Sequence, residues 1–258
     1  MCDVCGCGDS KLVPVEVHAR LLEHNDHGAA HNREHFRRHG LVAINLMGSP
    51  GAGKTALLEA TARRLGGVRQ LTALAGDLAT ERDAERLRAA GIPSSAITTG
   101  QACHLDADMV HRVLHQVEWP QPDYLFIENV GNLVCPAIYD LGQESNVVAL
   151  SVTEGEDKPL KYPVMFRHAD LVVLTKTDLL PVLDFDRAAL QDALARVIPE
   201  PRLIAVSARS GNGMGRWVEW LEERRTRMAA QCVSESGEGG PRCVNLRTHE
   251  VSRPLMSA

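Results

Sequence analysis

The sequence is poor in aromatic residues and lacks a strong charge of either sign. Only 4% of its 258 residues are aromatic, and its formal net charge is −5. Proteins that bind nucleic acid normally present a basic surface to the phosphates, so this charge balance argues against nucleic acid as a main partner. Apolar residues nevertheless make up 44% of the chain, which is enough for a buried core.

Long apolar runs are missing as well. No stretch approaches the roughly 18 consecutive apolar residues of a membrane-spanning helix. The N-terminus has no apolar segment of the kind found in secretory signals. We therefore expect a cytoplasmic protein that does not associate with membranes. Its seven cysteines should then remain reduced, which favours metal ligation over disulfide formation.

A glycine-rich loop lies between an apolar run at 41–47 and a helical pattern at 56–65. The loop has the form G-x-x-x-x-G-K-[ST] in a strand–loop–helix context, which predicts a bound nucleoside triphosphate. Lys54 is expected to reach the β- and γ-phosphates, and Thr55 to hold Mg²⁺. The nucleotide-binding residues predicted here are Gly48, Ser49, Pro50, Gly51, Ala52, Gly53, Lys54, Thr55 and Ala56.

A second motif, Thr175-Lys176-Thr177-Asp178, ends an apolar strand and predicts that the base is guanine. A carboxylate at Asp178 can accept hydrogen bonds from N1–H and N2–H₂ of guanine, a donor pair that adenine lacks. The stem of Lys176 is expected to pack on the base, with Thr175 beside it. Ser207 and Ala208 follow another strand, where a backbone N–H could reach guanine O6.

Two carboxylates end other apolar runs. Glu128 lies where a Walker B acid is expected, and Asp77 ends the run that begins at Leu71. We expect Asp77 to support Mg²⁺ and the attacking water, with Glu128 beside it and Lys54 completing the catalytic set. Gly131 could sense the γ-phosphate through its N–H. Either acid could instead cap a helix or face solvent in a turn.

Three cysteines, Cys2, Cys5 and Cys7, crowd the N-terminus. Thiolates are soft ligands suited to Ni²⁺, Zn²⁺ or Cu⁺, and the C-x-x-C spacing lets two sulfurs converge on one ion. A fourth ligand from the α-amino group or a backbone amide would favour square-planar Ni²⁺. A redox-active pair and a cluster without function are the alternatives.

A second candidate metal site combines residues from two segments. Cys103 and His104 precede a helical pattern, and Cys135 follows the segment that contains Glu128. If the two segments meet, they offer two thiolates and one imidazole and leave one ligand position open. The alternative for Cys135 is a small buried hydrophobic residue.

Six of the eleven histidines lie between residues 18 and 39. His27, His31 and His35 would share one face if this segment is helical. The tract is typical either of a weak metal reservoir or of a solvated polar helix.

Short apolar runs alternate with helical patterns from Leu41 onward. This alternation predicts an α/β protein, a P-loop NTPase three-layer fold with a mostly parallel sheet flanked by helices. We expect an N-terminal metal-binding tail with the histidine-containing segment at 1–40 and a GTPase domain at 41–228. A disordered tail is expected at 229–258, where the sequence is polar and rich in glycine.

Seven strands and six helices are predicted within these bounds. The strands are expected at Leu41–Met47, Leu71–Ala75, Ala96–Thr99, Tyr124–Ile127, Asn146–Val152, Asp170–Thr175 and Arg202–Val206. The helices are expected at Gly53–Leu65, Thr80–Ala90, Asp106–Gln116, Leu160–Arg167, Arg187–Val197 and Gly215–Met228.

Together the motifs resemble the HypB family of nickel-incorporation GTPases, which belongs to the SIMIBI class of P-loop proteins. The resemblance covers about residues 1–8 and 41–228 and rests on C-x-x-C-G-C, GSPGAGKT, GDLAT, GQACHLDA, ENVGNLVCPA, EGEDKPLKYP and TKTD. It implies a GTPase that inserts nickel into the large subunit of nickel–iron hydrogenase. Because the sequence offers no obvious arginine finger, we expect its intrinsic turnover to be slow.

The resemblance also implies the metal sites and partners. It places a high-affinity nickel site at Cys2, Cys5 and Cys7, and it puts Mg²⁺ at Thr55 and Asp77. A second site at Cys103, His104 and Cys135 would lie near a dimer interface, with Zn²⁺ as an alternative ion. The implied partners are a second copy of the chain in a GTP-promoted homodimer, a HypA-like nickel chaperone, the hydrogenase large subunit and, in some organisms, a SlyD-like prolyl isomerase.

Two other functions compete with this one. The first is a related metallochaperone GTPase that serves urease, a zinc enzyme or a cobalamin enzyme. The second is a nickel storage or sensing protein in which GTP has no remaining role.

Overall fold

The computed structural model describes residues 15–77, 80–100, 102–116 and 122–236. Its centre is a seven-stranded sheet in the order β3-β2-β4-β1-β5-β6-β7, and every neighbouring pair is parallel. The strands are β1 (Val42–Met47), β2 (Leu71–Asp77), β3 (Ser94–Thr98), β4 (Tyr124–Glu128), β5 (Ser145–Ser151), β6 (Leu171–Thr175) and β7 (Leu203–Ala205). The predicted P-loop NTPase fold and its seven strands are confirmed.

Strand β1 is central, and all six of its residues are buried. Parallel strands that are covered on both faces have sequences that are apolar throughout, and this is why the sequence predicts β1. Its side chains alternate between the two faces of the sheet. Val42, Ile44 and Leu46 join the core on one face, whereas Ala43 joins the core on the other.

Helices cover both faces of the sheet and complete three layers. They are α1 (Val15–Arg38), α2 (Lys54–Leu65), α3 (Arg82–Ala89), α4 (Ala107–Gln116), α5 (Lys158–Lys161), α6 (Pro163–Arg167), α7 (Arg187–Val197) and α8 (Met214–Ser236). Helices α2, α3 and α8 bury Leu57, Leu87 and Trp217 against one face. On the other face, α1 and α4 contribute to one core cluster, and α6 and α7 to another.

The predicted helix at Leu160–Arg167 is divided in two. Pro163 begins α6, and the preceding Tyr162 leaves the helical region with φ −127° and ψ 54°. Proline disfavours the helical conformation in the residue before it, which accounts for the break.

The largest difference from the sequence-based prediction is α1. The tract at 18–39 was expected to lie in a tail ahead of the domain, but it forms most of a helix that packs against the domain. Phe36 is 2% exposed and shares a core cluster with Leu114 and Leu125. Asn32 is fully buried and donates hydrogen bonds to the carbonyl groups of Ala107 (2.9 Å) and Leu141 (3.1 Å). The helix is therefore part of the domain core.

The last helix also differs from its predicted bounds. Helix α8 continues to Ser236, beyond the predicted end at Met228, so the expected disordered tail from 229 begins with helix. Met228 itself is 6% exposed and belongs to the main core. Within the described ranges, no helix has both the length and the apolar content needed to cross a bilayer.

Candidate functional site

The loop after β1 wraps the start of α2 in the manner expected of a phosphate-binding loop. Gly48 has φ 147°, and a Cβ there would lie 2.4 Å from the carbonyl oxygen of Ala149, so only glycine fits. Gly53 adopts the left-handed conformation immediately before α2. The ammonium of Lys54 donates to the carbonyl oxygens of Gly48 (3.2 Å) and Ser49 (3.3 Å). Burial lowers the pKa of Lys54, although carboxylates around it oppose the shift.

A cavity of about 500 Å³ opens over this loop at the carboxyl edge of the sheet, where α/β proteins bind their ligands. Its lining includes most of the predicted phosphate-end residues and some that were not predicted. The lining residues are Pro50, Gly51, Gly53, Lys54, Thr55, Ala56, Gly76, Asp77, Asp83, Arg86, Glu128, Asn129, Val130, Gly131 and Lys176.

Three predicted loop residues, Gly48, Ser49 and Ala52, are not among the lining residues. They hold the loop in place from behind. The hydroxyl of Ser49 donates to Glu154 (2.5 Å), and the carbonyl oxygen of Ala52 accepts from the Thr175 hydroxyl (2.6 Å). Thr175 therefore connects the loop to β6.

Thr55 lies at the centre of the acidic part of the cavity. Its hydroxyl makes hydrogen bonds with Glu128 (2.7 Å) and Asp83 (2.9 Å). Glu128 is 3% exposed, and burial raises the pKa of its carboxyl group to about 7. Its second oxygen, Oε2, is buried without a hydrogen-bond partner among the described residues. An unpartnered carboxylate oxygen beside a threonine hydroxyl and a second acid is a donor set that fits Mg²⁺.

Asp77 ends β2 and lines the same cavity, as predicted from its position. Its carboxylate accepts from the backbone N–H (3.1 Å) and the hydroxyl (3.2 Å) of Thr80. These contacts fix the carboxylate at the cavity wall. Between Asp77 and Thr80, residues 78 and 79 are outside the described ranges.

Sequence reasoning missed Asp83, Arg86 and Asn129. Asp83 lies in the first turn of α3, where an acidic residue is ordinarily explained by the helix dipole, so its contact with Thr55 had no separate signal. Arg86 forms an ion pair with Glu59 (2.7 Å). Asn129 lies in the motif E-N-V-G, for which the sequence predicted roles only at Glu128 and Gly131.

The predicted guanine-binding residues gather beside the cavity. The Asp178 carboxylate accepts from the Ser207 hydroxyl (2.7 Å), and this hydrogen bond lowers the Asp178 pKa. Lys176 has φ 57°, the one positive φ among described non-glycine residues, and it lines the cavity. The carbonyl oxygen of Ala208 accepts from Arg63 (3.3 Å). The structure thus brings the strand ends of β6 and β7 together, as the motif required.

The structure also brings Cys103, His104 and Cys135 together. Their ligand atoms all lie within 4.8 Å of one another, and neither cysteine forms a disulfide. The two sulfurs are 2.9 Å apart. The His104 ring is 2% exposed and stacks on Tyr139 with the ring centroids 3.8 Å apart. Burial lowers the His104 pKa, which favours the neutral imidazole that binds metals.

Two thiolates and an imidazole form a ligand set suited to Ni²⁺ or Zn²⁺, with one position left for a further ligand. The predicted N-terminal set, Cys2, Cys5 and Cys7, lies outside the described residues.

The cysteine site and the phosphate-binding loop are connected through Asn132. Gly48 and Asn132 form an antiparallel β-bridge, and the side chain of Asn132 donates to the carbonyl oxygen of Cys103 (3.2 Å). The preceding Gly131 lies against Pro50, where an added Cβ would be 2.9 Å from the Pro50 nitrogen. Asn132 therefore contacts both the phosphate-binding loop and the backbone of Cys103.

Comparison with known proteins agrees with this geometry. Residues 42–204 match the CobW/HypB/UreG nucleotide-binding domain. The hydrogenase maturation factor HypB of Azotobacter chroococcum mcd 1 is 52% identical over 220 residues, which cover 85% of this chain and 72% of the relative.

Two solved structures show the same architecture. HypB from Helicobacter pylori, crystallised in complex with nickel, has a TM-score of 0.75 and 39% identity, covering 79% of this chain and 95% of that one. HypB from Archaeoglobus fulgidus has a TM-score of 0.73 and 40% identity, covering 79% of this chain and all of that one.

Proposed function

Because the chain belongs to the HypB hydrogenase maturation factors of the CobW/HypB/UreG family, we propose that it is a GTP-hydrolysing nickel metallochaperone. It would insert nickel into the large subunit of nickel–iron hydrogenase, with the nucleotide state controlling how tightly nickel is held. The observation that carries this proposal is the contact of the phosphate-binding loop with the cysteine site through Gly48 and Asn132.

The nucleotide half of the proposal rests on the cavity at the carboxyl edge. Lys54 would exchange its carbonyl partners for the β- and γ-phosphates, and the N–H groups at the start of α2 would hold phosphate oxygens. Thr55, Asp77, Asp83 and Glu128 are the residues that would hold Mg²⁺. When bound, this ion neutralises charge that develops on the β- and γ-phosphate oxygens.

Hydrolysis would be slow without a partner. Asp77 and Glu128 would orient an attacking water. Arg86, the arginine among the described residues that line the cavity, is paired with Glu59. Arginine fingers speed P-loop GTPases by about 10³–10⁵-fold, so we expect intrinsic turnover below about one per second.

Guanine recognition rests on Asp178. We expect Asp178→Asn to weaken GTP binding by about 100-fold or more, because the asparagine amide replaces one acceptor with a donor that opposes guanine N–H. The same variant should gain affinity for xanthosine triphosphate, whose base offers a carbonyl oxygen in place of the amino group. Unchanged GTP affinity in a competition assay would show that the base is recognised elsewhere.

The metal half rests on Cys103, His104 and Cys135, and nickel is the cargo of the proposed delivery. The nickel complex of the Helicobacter pylori relative supports this choice of ion. Delivery would involve a HypA-like nickel chaperone, the hydrogenase large subunit and, where present, a SlyD-like prolyl isomerase. A GTP-promoted homodimer could supply a further ligand to the open position.

The coupling is tested by nickel titration of the full chain with GDP and with a non-hydrolysable GTP analogue. Typical allosteric coupling of 1–3 kcal/mol predicts that nickel affinity differs by roughly 5–150-fold between the two nucleotides. In Asn132→Ala that difference should shrink, because the hydrogen bond to Cys103 is lost. Gln191→Ala, an exposed amide on α7, is the matched control. Equal nickel affinity with both nucleotides in the unmodified chain would overturn the proposal.

The Lys54→Ala variant distinguishes the proposed GTPase from a storage or sensing protein that has no use for GTP. This variant should abolish hydrogenase maturation if nucleotide is required, while nickel binding is retained. Normal maturation by the variant would favour the storage function.

A further inference from the structure

A seam of histidines runs between α1 and α4, on residues that the proposed function does not use. Helix α1 presents His31 and His35, and His39 directly follows the helix. Helix α4 presents His111 and His115. Successive members lie four residues apart in each segment, so each set falls on one helical face. Because α1 and α4 pack against each other, the two faces meet.

Successive rings along the seam, from His39 through His35 and His115 to His111, are about as far apart as two imidazoles bound to one ion. The ring centroids of His35 and His39 are 4.5 Å apart, those of His111 and His115 are 4.5 Å apart, and His35 and His115 connect the two helices at 5.6 Å. With metal–nitrogen bonds of about 2.0–2.1 Å, two neighbouring imidazoles on one ion have centroids about 5 Å apart. His39 and His115 are exposed, so their rings can turn toward His35.

His35 lies at the middle of the seam. His35 is half-buried, and burial together with His39, His115, His111 and Arg38 lowers its pKa to about 4. Arg38 is itself paired with Glu34 (2.9 Å). The His35 ring therefore lies partly inside the seam, between the rings of His39 and His115.

His111 is oriented by a buried neighbour. Its Nδ1 lies 3.0 Å from Oδ1 of Asn32, whose amide nitrogen is committed to two backbone carbonyl groups. Nδ1 must then carry the proton, which leaves Nε2 as the nitrogen with the lone pair. Hydrogen bonds of this kind are characteristic supports of metal-binding histidines.

We propose that His35, His39, His111 and His115 form an additional site for a divalent transition-metal ion that joins α1 to α4. Imidazole ligands suit Ni²⁺, Cu²⁺ and Zn²⁺. The site contains no thiol, so it is chemically distinct from the Cys103 site. It is also independent of GTP, and it would hold an ion on α4, which begins at Ala107, three residues after His104.

The test measures Ni²⁺ binding to the full-length chain by equilibrium dialysis at pH 7.5, with and without His39→Gln/His115→Gln. Both side chains are exposed, so the variant should fold normally. The control His18→Gln/His168→Gln removes the same number of imidazoles outside the seam. A further variant, Cys103→Ser/Cys135→Ser, removes the thiolate site of the domain.

We expect His39→Gln/His115→Gln to lose one bound Ni²⁺ or to weaken its binding by about tenfold or more. The control should match the unmodified chain, and Cys103→Ser/Cys135→Ser should retain this ion. With Co²⁺ as the probe, the spectrum of Cys103→Ser/Cys135→Ser minus that of the same variant carrying His39→Gln/His115→Gln should show d–d bands without the charge-transfer absorption of thiolate ligands, because the thiolates of Cys2, Cys5 and Cys7 are common to both proteins. Hydrogen exchange in α1 should slow when the ion binds.

Two results would overturn the proposal. One is an unchanged number and affinity of bound ions in His39→Gln/His115→Gln; another is an equal loss in the control. Failure of the GTP–nickel coupling experiment would leave this inference standing, since no cysteine and no nucleotide takes part. If circular dichroism shows that the double variant is misfolded, the single variants His39→Gln and His115→Gln replace it, and unchanged binding in both overturns the proposal.

Discussion

At the scale of single residues, Glu128 combines deep burial with an incomplete set of partners. One carboxylate oxygen bonds Thr55, and the other is buried without a hydrogen-bond partner among the described residues. Burial is the main reason that the pKa of Glu128 rises to about 7. The protein thus maintains a carboxylate that is costly to ionise, at the place where a cation would relieve the cost.

Because ionising the buried Glu128 carboxyl group is costly, we expect the stability of the protein without metal and nucleotide to depend on pH. The folded state holds a proton on Glu128 up to about pH 7, whereas the unfolded chain loses it near pH 4.5. Stability should therefore fall as pH rises through this window, by about 3 kcal/mol from this group. Glu128→Gln should remove that part of the decline.

Urea denaturation of both proteins at pH 4.5 and 8 checks this expectation. The two should differ little at pH 4.5, and the variant should be the more stable at pH 8. Glu219→Gln, an exposed acid on α8, is the control. A stability difference that does not change with pH would contradict the assigned cause.

Asn32 illustrates how a buried polar side chain satisfies carbonyl groups in the core. Asn32→Ala leaves the carbonyl groups of Ala107 and Leu141 buried without these partners, and each such loss costs about 1–3 kcal/mol. We expect the free energy of unfolding to decrease by about 3 kcal/mol, as measured by chemical denaturation. Glu23→Ala, an exposed residue of the same helix, should have little effect. A small effect of Asn32→Ala would mean that α1 contributes little to the fold.

At the scale of elements, the segment after β4 touches both candidate sites. Glu128, at the end of β4, lines the cavity, and Gly131 lies against Pro50. Asn132 then pairs with Gly48, and Cys135 belongs to the cysteine site. Segments of this kind can transmit a change because packed contacts have few alternative arrangements. The close approach at Gly131 is the part most sensitive to substitution.

We expect Gly131→Ala to weaken nucleotide binding by about tenfold or more and to alter nickel affinity as well. The added methyl group would lie 2.9 Å from the nitrogen and 3.1 Å from Cα of Pro50, which are backbone atoms that cannot rotate away. Fluorescent GDP titration and nickel dialysis measure the two effects. Gly215→Ala, whose nearest neighbour to a new Cβ is at 3.9 Å, is the control. Normal binding of both ligands would show that the contact is not required.

At the scale of the whole molecule, an exposed apolar surface adjoins the cysteine site. Val134 is 48% exposed and Ile138 is 41% exposed, on either side of Cys135. A second copy of the chain covering this surface would both bury apolar area and reach the open ligand position. This is the arrangement we propose for the GTP-promoted dimer.

Ile138→Asp should weaken that dimer by about tenfold or more, because a charge would be buried at the interface. Light scattering after size exclusion, with GTP analogue present, measures the effect. Val68→Asp is the control, since Val68 is exposed in the loop that leads from α2 to β2. A dimer that persists unchanged in Ile138→Asp would place the interface elsewhere.

Local patterns in the sequence were sufficient for the fold and for the phosphate-binding loop. Apolar runs followed by helical patterns specify buried parallel strands. The glycines of the loop are recognisable because the loop needs positive φ angles, a requirement set mainly by the loop itself. The Cys103-His104 pair and Cys135 were recognisable for a similar reason, since their chemistry is unusual enough to stand out. Family resemblance then connected these motifs to nickel.

Other features depended on which distant residues the fold brings together, and no local pattern reports that. Asp83 meets Thr55 because α3 packs beside α2. The polar tract of α1 joins the core through Phe36 and through Asn32, whose carbonyl partners lie on two other segments of the chain. The contact of Gly48 with Asn132 and the meeting of histidines from α1 and α4 arise in the same way. Chemistry within one segment can be predicted from its residues, whereas chemistry shared between segments is decided by packing.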